Sequence, residues 1–379
     1  MSEEMKRARA FIDALTVDAK DADPKAIVED EDRFFAWDNE HRSLKNGKKF
    51  LYDWSYYIGV VMEGLYYMYE AGQGERYKDY VKRYLHAVET DGWLNKYAGY
   101  VPDHGLDCYK TASLVMYFYD EDEELGRLAD ALWHDLYTVN GQFAPADLGG
   151  NYFHCWDDGK PPRYKVWLDG LYMGQVFMAR YAQKTNNTKA LREIADRFRW
   201  VNIELKNPET GLLYHAGNSK DDVCKFHWLR ACGWYAMAQA DVLECLEGED
   251  RKELSEAFAA FCEAMLRYRD KDGLWLNLVN EERGNGNEPE SSGTAMLSYA
   301  MLKGARLGLI DKKYAAIGED VFNCLTAQKL KGSALTDVYL VATASGEDNY
   351  RRPEYYMPQE GKGVGPYIMA YAEMLKKIN

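Results

Sequence analysis

The run Asp169-Gly170-Leu171-Tyr172-Met173-Gly174-Gln175-Val176-Phe177-Met178-Ala179-Arg180-Tyr181-Ala182 decides how this chain folds. It is rich in small and aromatic residues and shows no charged stripe. A helix without a polar face is a helix buried on all sides. Segments of the same kind begin near Tyr56, Asp107, Cys232, Gly293 and Gly365, so copies recur every 51 to 72 residues. Between them lie segments with one apolar stripe and one charged face. Leu191, Ile194, Phe198, Val201 and Leu205 are spaced for one side of a helix, as are Leu254, Phe258, Phe261, Met265 and Tyr268. Val81, Tyr84, Leu85 and Val88 make a shorter version. Such helices cover a core from outside.

Six buried helices alternating with amphipathic ones predict an all-α fold, an (α/α)6 barrel, with residues 1–379 forming one domain. An open superhelical solenoid is the competitor, because helix-pair repeats also build those. Closure is favoured by the six units, by the absence of a polar face on the inner helices, and by a step longer than the roughly 34 to 47 residues of common helical repeats. In a closed ring the inner helices all start at one rim. The loops before them, about 15 to 30 residues long, then converge on one mouth, and loops of that length in a compact domain usually carry function. The turns Asp91-Gly92-Trp93, Thr210-Gly211-Leu212 and Asp272-Gly273-Leu274-Trp275 are expected to stop outer helices on a left-handed glycine.

Composition excludes several classes of function. A formal net charge of −14 argues against a nucleic-acid partner and against a polybasic membrane patch. No stretch approaches the roughly 20 apolar residues of a membrane span, and the amino terminus has no apolar leader, so the expected location is the cytoplasm. Seven cysteines without a CxxC pair read as free thiols in a reducing compartment. Cys224, His227 and Cys232 match no common zinc spacing, so no metal is expected. Gly284-Asn285-Gly286 and Gly361-Lys362-Gly363-Val364-Gly365 have Pro289 and Pro366 where a dinucleotide fingerprint needs glycine, so no nucleotide binding is expected there. Pro366 suits the first turn of a helix. Glu290-Ser291-Ser292-Gly293 reads as an inner-helix entry capped by serine. The sequence is silent on the oligomeric state and on the role of the first 45 residues.

Asp107 and Asp169 both stand where an inner helix begins. An aspartate there is ordinarily an N-cap. Two acids on one rim are also the equipment of acid–base work on glycosides. Aromatic residues make up 14% of the chain, and their rings can stack on sugar faces or simply fill the core. Arg230 precedes a buried helix and offers a planar fork suited to a carboxylate, with a structural ion pair as its plainer reading.

The string Trp167-Leu168-Asp169-Gly170-Leu171-Tyr172-Met173 resembles the signature of the unsaturated rhamnogalacturonyl hydrolases, glycoside hydrolase family 105. The resemblance continues in order through Leu106-Asp107, Leu213-Tyr214-His215-Ala216, Trp228 and Arg230 with Gly233-Trp234-Tyr235, and Glu290-Ser291-Ser292-Gly293. The related family 88 unsaturated glucuronyl hydrolases share the fold. The resemblance implies a substrate that is a small oligosaccharide ending in a Δ4,5-unsaturated uronic acid. It implies hydration of the vinyl ether double bond, with Asp169 protonating C4 and Asp107 holding ring hydroxyls. By the same resemblance His215, Trp228 and Arg230 hold the uronide. Trp167, Lys165, His154, Trp54 and Tyr57 fall at or near other substrate-contacting positions, His154 on the leaving-sugar side. Gly217-Asn218 stand where the family has Trp-Asp. Two other readings use the same barrel: a sugar 2-epimerase, and a carbohydrate-binding barrel without catalysis.

Overall fold

The computed structural model describes residues 2–15, 54–90, 105–139, 144–155, 162–344 and 346–376. Six helical segments form the inner ring. The first is Tyr56–Glu70. The second is broken into Leu106–Tyr109, Ala112–Val115 and Met116–Phe118. The third runs through Leu168–Gly170, a π-helical turn at Leu171–Gln175, and Val176–Lys184. The remaining three are Leu229–Val242, Ser291–Arg306 and Gly361–Leu375. Every residue of Leu229–Val242 is buried, as its uniform apolarity requires.

Outer helices follow five of them: Arg76–Thr90, Glu123–Trp133, Thr188–Glu204, Gly248–Leu266 and Lys313–Lys329. A helix at the amino terminus, Glu3–Leu15, supplies the sixth, packing on the last outer and last inner helices. This gives the beginning of the chain the role of a wall element.

Each inner segment packs on the next, and the sixth packs on the first, so the ring is closed and the open solenoid is ruled out. Small residues make this possible. A side chain at Gly365 would run into the backbone of Val60 at 2.6 Å, and one at Gly293 into the backbone of Leu229 at 2.8 Å. Alanine at either place would force two inner helices apart.

Four local expectations are corrected. The last inner helix starts at Gly361, so Pro366 lies inside it rather than in its first turn, and the glycine-rich stretch is helix rather than loop. Arg230 lies within the first turn of its helix, not before it. Glu290, not a serine, caps Ser291–Arg306: its carboxylate accepts from the backbone N–H of Ser292 at 2.9 Å and of Gly293 at 2.8 Å. Gly211 and Gly273 are left-handed, with φ of 75° and 80°, but both lie past the helix ends, in the turns that follow. The turn at Asp91-Gly92-Trp93 lies outside the described residues.

Candidate active site

The segments that begin the inner helices meet at one rim, and the site is assembled there from all six. Its scaffold is a small antiparallel sheet of Val166–Trp167, Ala216–Ser219 and Asp222–Val223, in which Trp167 pairs with Ala216. The backbone N–H of Leu168 donates to the carbonyl of His215 at 3.0 Å, tying the start of the third inner helix to the loop that carries His215. Gly170 packs closely on Leu106, which brings the second inner helix, and Asp107 with it, beside Asp169.

Neither aspartate is an N-cap. Gly105 and Trp167 occupy those positions, without side-chain capping bonds, and Asp107 and Asp169 are each two residues further in. Their side chains are therefore free for other work. Asp169 is 7% exposed, and its Oδ2 lies 3.3 Å from Nε2 of His215. The contact is electrostatic rather than an aligned hydrogen bond, and neither atom has a hydrogen-bond partner among the described residues. His154, also buried, lies between the two acids. Its Nε2 is 3.8 Å from Asp107 Oδ1, its ring stacks on Trp167 with centroids 4.7 Å apart, and its Nδ1 is likewise without a partner among those residues. Buried polar atoms are rarely left this way, and three of them on side chains clustered about Trp167 mark a place for a polar ligand.

The environments of the two carboxyls differ. Burial pushes Asp169 upward, but the His215 ring beside it, together with His154 and Arg230, outweighs burial and holds the group below the ordinary carboxylate value. Asp107 is raised, first by its enclosure and then by the negative charge of Asp169, with His154 and Lys362 opposing. Its side chain keeps 43% of its exposure, so water moderates that rise. Burial pushes His215 below its ordinary value, which makes it a neutral imidazole at pH 7.

Arg230 is 2% exposed and lies over the Trp228 ring, 4.4 Å from its centroid. Its guanidinium donates to the carbonyls of Tyr339 and Leu340 and approaches Ser292 Oγ at 3.5 Å. It has no acidic partner within ion-pair distance among the described residues, so the structural ion pair considered for it is absent. Trp228 is fixed by donation of its Nε1–H to Asn277 at 2.9 Å and packs against His215.

The other candidates are placed as follows. Trp54 is buried and donates to the carbonyl of Cys108 at 2.5 Å, bracing the backbone next to Asp107. Tyr57 has the Lys362 ammonium 5.9 Å from its ring centre. Lys165 is not brought to the acids: its ammonium lies over Phe153, 5.7 Å from the ring centre. Cys224, His227 and Cys232 do not converge, and the last two turn to the carbonyl of Leu213.

Three members were missed in the sequence. Tyr56 feels the charges of Asp107, Arg230 and Asp169, and burial with those acids pushes its phenol well up. Lys362 donates to the same Leu340 carbonyl as Arg230 and pairs with Glu360 at 3.1 Å. Tyr350 hydrogen-bonds His215 from 135 residues away. Only Lys362 left a sign, as the cation in a glycine stretch that made no sense as a nucleotide loop.

Comparison with known proteins fits this geometry. The model of Glycosyl Hydrolase Family 88 matches residues 28–378. This chain belongs to that family. A 24.9 kDa protein in the picA locus of Rhizobium radiobacter is 32% identical over 230 residues, covering 54% of this chain and 98% of its own. The unsaturated rhamnogalacturonyl hydrolase YesR of Bacillus subtilis is 23% identical over 88% of this chain and 93% of its own. A family 105 glycoside hydrolase from C. acetobutylicum superposes with a TM-score of 0.69 at 26% identity, covering 84% of this chain and 93% of that one. The chain is a glycoside hydrolase of the family 88 and 105 kind, and the epimerase and non-catalytic readings give way to it. No helix among the described residues is long and apolar enough to cross a membrane.

Proposed function

We propose that this glycoside hydrolase removes a terminal Δ4,5-unsaturated uronic acid from small oligosaccharides left by polysaccharide lyases, with pectic, rhamnogalacturonan-type products as its substrates. The observation that carries the reading is Arg230. A guanidinium buried with no acid in ion-pair distance among the described residues, yet near enough for its charge to act on Asp169, suits a ligand that brings its own carboxylate. The likeness to YesR supports the pectic assignment.

The chemistry follows from the vinyl ether. Asp169 in its protonated form donates to C4, and the positive charge that develops at C5 is shared with the ring oxygen. Water adds at C5 and returns its proton to the Asp169 carboxylate, so one group serves as acid and then base. The hemiketal opens by breaking the bond between C5 and the ring oxygen, and the hemiacetal left at C1 expels the second sugar. The net change consumes one water and no redox equivalent. Asp169 rests below its ordinary pKa, and the negative charge of an arriving uronate raises it, so substrate binding helps recruit the proton. Asp107 would orient ring hydroxyls, His215 and Trp228 would hold the uronide, and His154 and Trp167 would face the leaving sugar. Lys165, Trp54 and Tyr57 would act from further out.

The test is to incubate the protein with a panel of lyase-generated disaccharides and follow the ultraviolet absorbance of the conjugated double bond. Loss of absorbance on a pectic member, abolished in Asp169→Asn, is the expected result. Folded protein that leaves every member unchanged would overturn the substrate assignment.

A further inference from the structure

Tyr350 is fully buried, yet it belongs to the loop between the fifth and sixth inner helices, far from any residue of the reacting group in sequence. Its hydroxyl lies 2.7 Å from Nδ1 of His215 and 3.3 Å from Sγ of Cys224. Its carbonyl accepts from Asn277 at 2.8 Å, and the same Asn277 holds Trp228. The loop is anchored on both sides. Tyr339 donates to the carbonyl of Asn349 at 2.8 Å, and Arg351 is paired with Glu281 and Glu347. The phenol is thus held against His215.

A neutral imidazole carries one proton, and which nitrogen holds it depends on the partner of the other. Nε2 of His215 faces Asp169 Oδ2 at 3.3 Å. A bare Nε2 would set a lone pair against that carboxylate, whereas Nε2–H is attracted to it. Nδ1 must then accept. The phenol has a single proton to give, and the imidazole nitrogen is both the nearer and the stronger acceptor of its two neighbours. The phenol oxygen still accepts, and Cys224 stands beside it as a thiol, since burial raises its pKa.

We propose that Tyr350 and Cys224 are positioning residues that fix the tautomer of His215 through a one-way chain: Cys224 S–H to Tyr350 oxygen, Tyr350 O–H to His215 Nδ1, His215 Nε2–H toward Asp169. The chain keeps a donor aimed at the reacting carboxylate and at the bound sugar. It deepens the proposed hydrolysis by naming what orients the group beside Asp169, and it rests on that reading only for its kinetic consequences.

The experiment is histidine-selective 15N NMR on the full chain, alongside kinetics on an unsaturated disaccharide. The wild-type protein is expected to show His215 protonated at Nε2 with Nδ1 accepting. Tyr350→Phe leaves only Asp169 to favour Nε2–H, so it is expected to raise the fraction of His215 protonated at Nδ1 and to lower kcat roughly 10- to 100-fold with a smaller change in KM, because a histidine offering the wrong nitrogen fails after binding. Cys224→Ala is expected to cost a few-fold, and Cys224→Ser to restore the loss by supplying another donor. A wild-type His215 protonated at Nδ1 would overturn the chain, whatever the variants do. So would a Tyr350→Phe protein whose His215 tautomer ratio is the same as in the wild type, even if its kcat falls, since a purely structural role predicts that result. If Tyr350→Phe does not fold, the wild-type spectrum and the Cys224 pair still decide. The tautomer is read without substrate, so failure of the uronide assignment would leave this result interpretable.

Discussion

The two ends of the barrel bury charge in opposite ways. At the rim where the inner helices start, Arg230 lacks an acid among the described residues, and Asp169 Oδ2, His215 Nε2 and His154 Nδ1 are buried without a hydrogen-bond partner there. From the middle of the inner segments toward the rim where they end, all six contribute to buried ion pairs. Glu63 of the first meets Lys110 of the second and Arg180 of the third, the latter at 2.6 Å. Lys303 of the fifth holds Asp241 of the fourth at 2.9 Å and Glu244 at 2.7 Å, and Arg306 holds Glu373 of the sixth at 2.6 Å. A cavity of about 970 Å³ opens there, lined by Arg180, Glu244, Lys303 and Arg306 among others, yet every one of these is paired. Size of cavity and presence of charge therefore do not distinguish the two ends. Pairing of the cations does: Arg180, Lys303 and Arg306 each hold an acid, whereas Arg230 holds none among the described residues, although Asp241 Oδ2 at the paired end also lacks a hydrogen bond there.

The comparison can be broken most decisively at Asp169. Asp169→Asn should lower kcat about 10²- to 10⁴-fold, as loss of a general acid–base group does, while the melting temperature stays close to that of the parent. A large loss of stability would mean that this acid is structural after all. At the other rim, Glu63→Gln should do the reverse. It leaves Lys110 and Arg180 buried without their acid, at a cost of about 3–5 kcal/mol measured by denaturant unfolding, with kcat and KM of the folded fraction little changed.

Arg230→Met sharpens the contrast within a single residue type. Removing a buried cation that has no acid loses only its bonds to the Tyr339 and Leu340 carbonyls, so it should cost the fold less than breaking an ion pair, and it should raise KM about 10- to 100-fold, the worth of roughly 1.5–3 kcal/mol of charged hydrogen bonding. Arg180→Met should show lost stability instead.

Acidity separates the ends more gently. Burial alone would raise Glu244, but Lys303 beside it, with Arg180 and Arg306, brings it down to about 2, and Glu63 and Glu373 are lowered in the same way by Lys110 and Arg306. Groups depressed on folding stabilise the native state fully above their unfolded pKa, near roughly 4.3 for glutamate, and that stability is lost as pH falls through their folded values. Melting temperature should therefore fall as pH is lowered from about 4.5 toward 2, and Glu244→Gln should flatten part of that slope. Activity should move the other way over neutral pH. Asp169 must be protonated to donate and is held below its ordinary value, so kcat/KM should already be declining as pH rises from the acid range toward neutrality.

The inner helices were legible because burial on every side leaves no polar face, and that absence is written in consecutive residues such as 229–242. Asp107, Asp169, His215, Trp228 and Arg230 were legible because each stands at or near the start of such a helix, within a recognisable string. Tyr350 and Lys362 were not. Their strings, Asn349-Tyr350-Arg351 and Gly361-Lys362-Gly363, resemble ordinary loop and turn sequence.

Periodicity by itself determined that there are six buried helices and that they alternate with amphipathic ones, because the side-chain pattern of a helix depends only on neighbours three and four residues away. Whether those helices close into a ring, which buried charges find partners, and which nitrogen of His215 meets Asp169 were decided by contacts between residues up to hundreds of positions apart. Only the folded chain sets those distances, and the energy of a buried charge depends on little else.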